Sequence, residues 1–211
     1  MPRDKSASHD RVLAAARAEF TEYGYENASM RRIGARCGMT AAGLYRHCRD
    51  KADLFREIVS PSVKKIDDWL DAHIARSIQT MESGEVDLWK DSEIDMMREL
   101  VYPNMEEYRL LLTKAQGSPY ENFLHDLTQR HQDQMLAFLP LLYERGYVPK
   151  RIDPKELHLL LSAYTTAMFE PVAHGYAQED AYRCLDTLEA FFLPGWKQLL
   201  GFYTHERNKL Q

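Results

Sequence analysis

Basic residues are concentrated in one short stretch of the chain. Against a single acid, Asp50, residues 29–51 carry six bases, which are Arg31, Arg32, Arg36, Arg46, Arg49 and Lys51. Clustered guanidinium and ammonium groups are suited to contact with phosphates. The chain as a whole shows the same asymmetry, because the net charge is +4 in residues 1–56 and −9 in residues 57–211. This asymmetry favours a polyanionic partner for the N-terminal part, and a solvated charged surface is the alternative interpretation.

Other kinds of chemistry find little support in the sequence. The chain has eight histidines and three cysteines, but it lacks a Cys-x2-Cys pair, and His125 and His131 are not four residues apart as two ligands on one helix face would be. Glycine-rich phosphate loops and a Gly-x-Ser-x-Gly elbow are missing as well. We predict no metal, no cofactor and no enzymatic activity.

The apolar stretches are shorter than the roughly 20 residues that a bilayer helix requires. The first residues are charged, unlike a secretory signal, and three cysteines do not make a complete disulfide framework. We predict a soluble cytoplasmic protein with no membrane partner.

The elements that position the basic residues are predicted to be three helices. Apolar residues at helical spacing indicate one helix from His9 to Tyr23, one through Met30 that stops at Gly38, and one capped by Thr40 and continuing through Cys48. Two short helices around a glycine turn are the layout of a helix-turn-helix. The second of them opens with Ala41, Ala42 and Gly43, which are small enough to let its backbone approach base edges in the major groove.

Helical spacing continues through the remainder of the chain. We predict a long helix from Asp50 towards Ile78, a loop at 81–87, a helix over Tyr120–Tyr143 and two final helices that start near Asp153 and Glu179. Strand-like alternation is not found. The predicted fold is all-α, with about nine helices.

Residues 9–58 resemble the DNA-binding domain of the TetR family of bacterial transcriptional regulators. The resemblance is carried by Val12, Leu13, Ala16, Phe20, Tyr23–Tyr25, Ile33, Cys37–Thr40, Leu44–Cys48 and Asp50–Leu54. The sequence departs from the family pattern at Gly34, where alanine is common, at Cys48, where an aromatic residue is usual, and at Asp50, where Ser or Asn is usual.

The resemblance implies a DNA-binding role for nine residues. Thr40, Tyr45, His47 and Lys51 would bind phosphates. Nearest to the base edges would be Arg31, Ala41, Ala42, Gly43 and Arg46, with Arg31 the first candidate for direct readout. The alternatives are a core aromatic at Tyr45, a surface or capping histidine at His47 and a solvated arginine at Arg46.

Beyond residue 60 the resemblance is architectural. It implies a helix-turn-helix domain over residues 1–52 and a helical effector-binding and dimerisation domain over residues 53–211, whose last two helices pair with a second subunit. The excess of apolar residues in those helices agrees with a two-fold interface, for which the candidates are Leu161, Met168, Leu185, Leu188, Phe192 and Trp196. Candidates for lining an effector cavity are Trp69, Trp89, Met97, Phe123, Met135, Tyr164 and Phe169. Ordinary core packing is the alternative for both sets.

The function implied is that of a ligand-responsive repressor. It would bind a pseudo-palindromic DNA operator as a homodimer, and a small-molecule effector would change the spacing of the recognition helices. The alternative is a helical small-molecule carrier or enzyme with an incidental basic N-terminus. Residues 82–107, with a net charge of −7, would either select a cationic effector or form a solvated helix face.

Overall fold

The computed structural model of the chain describes residues 5–83 and 92–201, and these residues form helices joined by turns and short connections. The helices are α1 (Lys5–Asn27), α2 (Met30–Arg36), α3 (Ala41–Leu44), α4 (Lys51–Ser83), α5 (Glu93–Met96), α6 (Met105–Thr113), α7 (Phe123–Glu144), α8 (Pro154–Ala173) and α9 (Gln178–Leu199). A π-helical turn (Met97–Val101) and a 3₁₀ turn (Tyr102–Asn104) lie between α5 and α6. The prediction of an all-α fold is confirmed.

The described residues form two compact units. Unit 1 contains residues 5–66 and 104–123, and unit 2 contains residues 67–83, 92–103 and 124–201. The helix-turn-helix elements α1, α2 and α3 all belong to unit 1. The functional division into residues 1–52 and 53–211 stays a prediction.

Unit 1 is built on an aromatic core. Phe20 and Tyr25 both pack against Phe55, with ring centroids 5.0 Å and 5.2 Å from its own. The chain turns between the first two rings at Gly24, whose φ of 73° lies in the left-handed region. After this turn the Tyr25 amide donates to the Lys114 carbonyl at 2.8 Å. The predicted end of the first helix therefore coincides with a real break in helical geometry.

Helix α3 is shorter than the sequence predicts. Its α-helical residues end at Leu44, and the amides of Arg46 and His47 donate to carbonyls three residues back, at 3.3 Å and 2.8 Å. Cys48 lies beyond the helix, although it is buried as a core residue would be. The chain tightens into turns here because i→i+3 bonds replace the α pattern.

The long helices α7, α8 and α9 belong to unit 2. A core cluster of this unit combines apolar side chains of α4, α7 and α8 with residues just outside the helices. Its members are Met81, Phe138, Leu139, Leu142, Val148, Ile152, Leu157, Leu161 and Leu200. Asp153 caps α8 by accepting from the Lys155 amide at 2.8 Å, and Pro154 occupies the first turn. The predicted start of this helix is confirmed. Within the described ranges no helix has the length and apolar character needed to cross a membrane.

Candidate nucleic-acid interface

The turn between α2 and α3 depends on a close backbone approach at Gly34. A Cβ atom at Gly34 would lie 3.0 Å from the Met39 carbonyl oxygen, and the Met39 amide donates to the Gly34 carbonyl at 2.8 Å. Gly38 completes the turn with a φ of 69°. The departure from alanine at Gly34 therefore has a local cause, because the bend brings a carbonyl group against this position.

A buried carboxylate in α1 anchors α2. Glu19 is fully buried and accepts from the Ser29 amide at 3.0 Å, from Arg32 Nε at 2.6 Å and from Arg36 Nε at 3.3 Å. Arg36 also pairs with Glu22. Two of the six clustered bases are thus engaged in holding the helix-turn-helix together, and their charge is largely neutralised within the protein.

A third base is engaged at the start of α4. Arg49 donates to Asp53 Oδ1 at 2.5 Å, and its amide donates to Asp53 Oδ2 at 3.1 Å. These hydrogen bonds lower the pKa of Asp53 to about 2. Asp50 Oδ1 in turn accepts from the Asp53 amide at 2.8 Å, so the aspartate at position 50 satisfies an amide of the first turn as the usual Ser or Asn would.

Two predicted phosphate-binding residues have intramolecular partners but keep donor capacity. Thr40 Oγ1 accepts from the Gly43 amide at 3.1 Å, and its hydroxyl hydrogen remains able to donate. Lys51 Nζ donates to the Glu26 carbonyl at 3.0 Å and lies 4.5 Å from the centroid of the Tyr25 ring. An ammonium group has three N–H donors, so this one bond leaves two for phosphate.

The structure leaves Arg31 and Arg46 available. Both side chains are exposed, and neither has a hydrogen bond or an ion pair within residues 5–83 and 92–201. Ala41 and Ala42 are exposed beside them in the sequence, and Gly43 is half-buried. Of the basic cluster, these two arginines are therefore the ones that can give all their guanidinium donors to a partner.

The two predicted aromatic contacts differ in exposure. Tyr45 is 53% exposed, which contradicts the alternative of a core aromatic at this position. His47 is half-buried, and its ring centroid lies 6.1 Å from that of His9 in α1. His9 in turn contacts the carboxylate of Glu57 in α4, with Nε2 2.5 Å from Oε1.

Comparison with known proteins relates the N-terminal part of the chain to one family. Residues 12–58 match the family model described as bacterial regulatory proteins, tetR family. Over 50 residues the chain is 40% identical to the HTH-type transcriptional repressor Rv1474c of Mycobacterium tuberculosis, an alignment that covers 24% of this chain and 27% of that protein. The residues matched by the family model are those that form the helix-turn-helix, and this part of the chain is similar to the tetR family.

Two solved structures share the fold across most of the chain. One is a protein assigned to the TetR family of transcriptional regulators from Mesorhizobium loti, with a TM-score of 0.51, 20% identity and coverage of 90% of this chain and 97% of that one. The other is NalD of Pseudomonas aeruginosa, the secondary repressor of the MexAB-OprM multidrug efflux pump, with a TM-score of 0.51, 15% identity and coverage of 88% and 95%. At these identities the likeness concerns the fold.

The predicted effector-binding residues are not all brought together. Unit 2 contains a cavity of about 150 Å³, and Met135 and Tyr164 are among its lining residues, whereas Trp69, Met97 and Phe169 are not. Phe123 belongs to unit 1, and Trp89 lies outside the described residues. The structure adds polar lining residues that the sequence analysis did not select, namely His73, Ser77, Ser92, Glu93, His131 and Glu189.

The predicted dimer-interface residues also divide. Leu161, Met168 and Leu185 are buried within the single chain, at 2%, 2% and 0% exposure, so they pack inside one chain, and their place in a dimer interface stays a prediction. Helical spacing alone does not tell a core stripe from an interface stripe. Leu188, Phe192 and Trp196 are half-buried, while Leu159 and Phe191, which the sequence analysis did not select, are 68% and 76% exposed.

Across residues 5–83 and 92–201, no group of three or more His, Cys, Asp or Glu side chains could hold a metal ion.

Proposed function

We propose that the chain is a transcriptional repressor that binds a pseudo-palindromic DNA operator as a homodimer and responds to a small-molecule effector. The proposal is carried by Arg31 and Arg46, which precede and follow the exposed start of α3 in the sequence. Both are exposed, and neither has a hydrogen bond or an ion pair with any described residue. The local likeness to the transcriptional repressor Rv1474c, at 40% identity over 50 residues, supports repression as the direction of regulation.

The internal packing of α3 supports a close approach to DNA. A Cβ atom at Gly43 would lie 3.4 Å from Thr40 Oγ1 and 3.7 Å from Met39 Cβ, which are ordinary contacts. Protein packing therefore does not require glycine at this position. A recognition helix that places its backbone near base edges benefits from the missing side chain.

A gel-shift titration of the purified chain against DNA flanking its own gene tests the DNA-binding part. We expect Arg31→Ala and Arg46→Ala each to weaken specific binding about tenfold, since a bidentate arginine contact to guanine contributes roughly 1–3 kcal/mol of discrimination. Lys51→Ala should weaken specific and non-specific binding alike and reduce the salt slope by about one. Arg145→Ala, at an exposed position in unit 2, serves as the control.

Two results would refute this part of the proposal. One is that no fragment is retarded at low salt. The other is that the Arg31 and Arg46 variants bind as tightly as the Arg145 variant.

The exposed apolar residues of α8 and α9 support the homodimer. Helices α8 and α9 pack on each other. Leu159 in α8 and Phe191 in α9 are large apolar side chains, and both are mainly exposed in the single chain. Apolar surface of this kind is typical of protein interfaces, and a closed two-fold pairing would bury it in both copies. We include Leu188, which is half-buried, in the same proposed interface.

Light scattering on a size-exclusion column tests the oligomeric state. We expect a dimer for the native chain and a monomer for Phe191→Glu, with loss of operator binding in the same variant. Tyr176→Glu, which introduces the same charge at a residue 44% exposed, should remain dimeric. A native chain that elutes as a monomer at operator-binding concentrations would contradict the proposal.

A further inference from the structure

The cavity in unit 2 has an apolar part and an acidic part. Its apolar lining includes Phe138, Leu139, Leu142, Phe192, Leu193 and Trp196. Its polar lining includes Glu93 and Glu189, and it contains no lysine or arginine among the described residues. Among the described residues that line the cavity, the other titratable groups are the imidazoles of His73 and His131 and the phenol of Tyr164.

Glu93 gives the cavity a fixed negative charge. His131 Nε2 lies 3.3 Å from Glu93 Oε1. Burial by itself raises the pKa of Glu93, but the hydrogen bond and charge of His131 outweigh burial and lower the pKa to about 2. The carboxyl group is therefore ionised at neutral pH. Glu189, from α9, supplies the second carboxyl group of the lining.

Tyr164 presents an unsatisfied hydroxyl group to the same cavity. Its side chain is 8% exposed, and its hydroxyl has no hydrogen-bond partner within the described ranges. Burial raises its pKa, and the charges of Glu93, Glu189 and Asp95 add to the effect. Three carboxyl groups thus act on one neutral phenol, whose oxygen can accept a hydrogen bond from a ligand. Because no partner is found for it among the described residues, this hydroxyl group is open to a hydrogen bond from a ligand.

These features select among ligand charges. An anion would meet two carboxyl groups in a lining whose described residues include no lysine or arginine, and the imidazole of His131 is already engaged by Glu93. A neutral apolar molecule would leave the Tyr164 hydroxyl without a partner. An N–H cation satisfies both the carboxylates and the phenol oxygen through charge-assisted hydrogen bonds. The size of the ligand is limited as well, because a cavity of about 150 Å³ matches one aromatic ring.

We propose that this cavity binds a small organic cation, with its ammonium or amidinium group between Glu93, Glu189 and Tyr164 and its single ring or short hydrocarbon group against Phe138 and Leu142. The inference rests on the proposed function, in which a small molecule bound to unit 2 regulates DNA binding, and it names the chemical class of that molecule.

Isothermal calorimetry on the full-length chain at neutral pH tests the charge preference with three probes of similar shape. The probes are 2-phenylethylammonium, 2-phenylethanol and 3-phenylpropionate. We expect the cation to bind at least about tenfold more tightly than the alcohol, the factor that one hydrogen bond to a charged group supplies. The anion should bind most weakly of the three.

Variants locate the binding site. Glu93→Gln and Glu189→Gln should each weaken binding of the cation about tenfold and leave binding of the alcohol nearly unchanged. Glu144→Gln, at an exposed position at the end of α7, removes the same charge from the protein and should change neither. Far-UV circular dichroism checks that the Glu93 variant folds, and the Glu189 variant provides an independent test if it does not.

Three results would overturn the inference: equal or tighter binding of the alcohol, tightest binding of the anion, or no binding of the cation at millimolar concentration. Calorimetry without DNA separates this outcome from a failure of the proposed function. A chain that retards its operator but does not bind the cation overturns only the ligand class, and a chain that binds the cation but retards no DNA overturns the regulatory function.

Discussion

Replacing Glu19 by glutamine tests whether the buried carboxylate holds the helix-turn-helix together. The substitution keeps the shape of the side chain and an oxygen for the Ser29 amide, but it removes the negative charge that faces Arg32 and Arg36. Breaking a buried ion pair by removing one partner typically costs about 3–5 kcal/mol. The arginine side chains are 42% and 36% exposed, so water can solvate the released guanidinium groups. We therefore expect a loss of about 2–3 kcal/mol of unfolding free energy.

Urea unfolding of the full-length chain, followed by far-UV circular dichroism, measures this loss. The matched control is Glu22→Gln, because Glu22 pairs with Arg36 but is 50% exposed, and we expect no measurable change there. Trp69 and Trp196 lie in unit 2, so tryptophan fluorescence in a Trp89→Phe background follows unit 2 separately. Equal urea midpoints for the Glu19 and Glu22 variants would refute the reasoning.

Three further predictions concern other parts of the chain. Cys48 is 5% exposed and burial raises the pKa of its thiol to about 11, so at pH 8 it should be alkylated last among the three cysteines. Mass spectrometry of partly labelled native protein measures the order of labelling, and early labelling of Cys48 would contradict the prediction. The pKa of Glu93 is lowered from 4.5 to about 2, which provides stability that is present above about pH 4.5 and is lost as pH falls towards 2. Between pH 5.5 and 2.5 the thermal midpoint should therefore fall less steeply for Glu93→Gln than for the native chain, and parallel slopes would disprove this prediction. Gly34→Ala should lower the urea midpoint despite about 1 kcal/mol of gained helix propensity, because the new Cβ would lie 3.0 Å from the Met39 carbonyl oxygen. Gly43→Ala, which meets only ordinary contacts, should raise the urea midpoint. The opposite order of midpoints would show that the turn can relax.

The sequence could predict the helix-turn-helix because its signals are local. Gly24 breaks the geometry of α1 and Gly38 follows the end of α2, both at positive φ, and Thr40 caps α3 through its own side chain. Each signal depends on residues within a few positions of one another. The early end of α3 was missed, because apolar spacing continues through Tyr45 and Cys48 although the backbone has changed to tighter turns.

The number of arginines that are free to bind DNA could not be predicted from residues 29–51 alone. Arg32 and Arg36 are paired with Glu19, which lies in α1 and outside that window. One signal was nevertheless present in the sequence. Glu19 follows Val12, Ala15 and Ala16 at helical spacing on the face of α1 that is buried, and an acid on an apolar face requires a basic partner.

The lining of the cavity was harder to predict. Glu93 and His131 are far apart in the sequence and meet only when α5 and α7 are folded. In the sequence Glu93 lies among many other acids, so its half-buried position was not distinguishable from a solvated one. Periodicity identifies which residues are apolar, but it does not show which apolar residues leave space between them.

The exposed side chain of Phe191 in α9 has a consequence for gene dosage. If operator-bound protein is paired through this surface, then below the dissociation constant the concentration of paired chains rises with the square of the amount synthesised. Halving expression would then leave about a quarter of the active species. A promoter controlled in this way would switch over a narrower range of protein abundance than one controlled by a monomer.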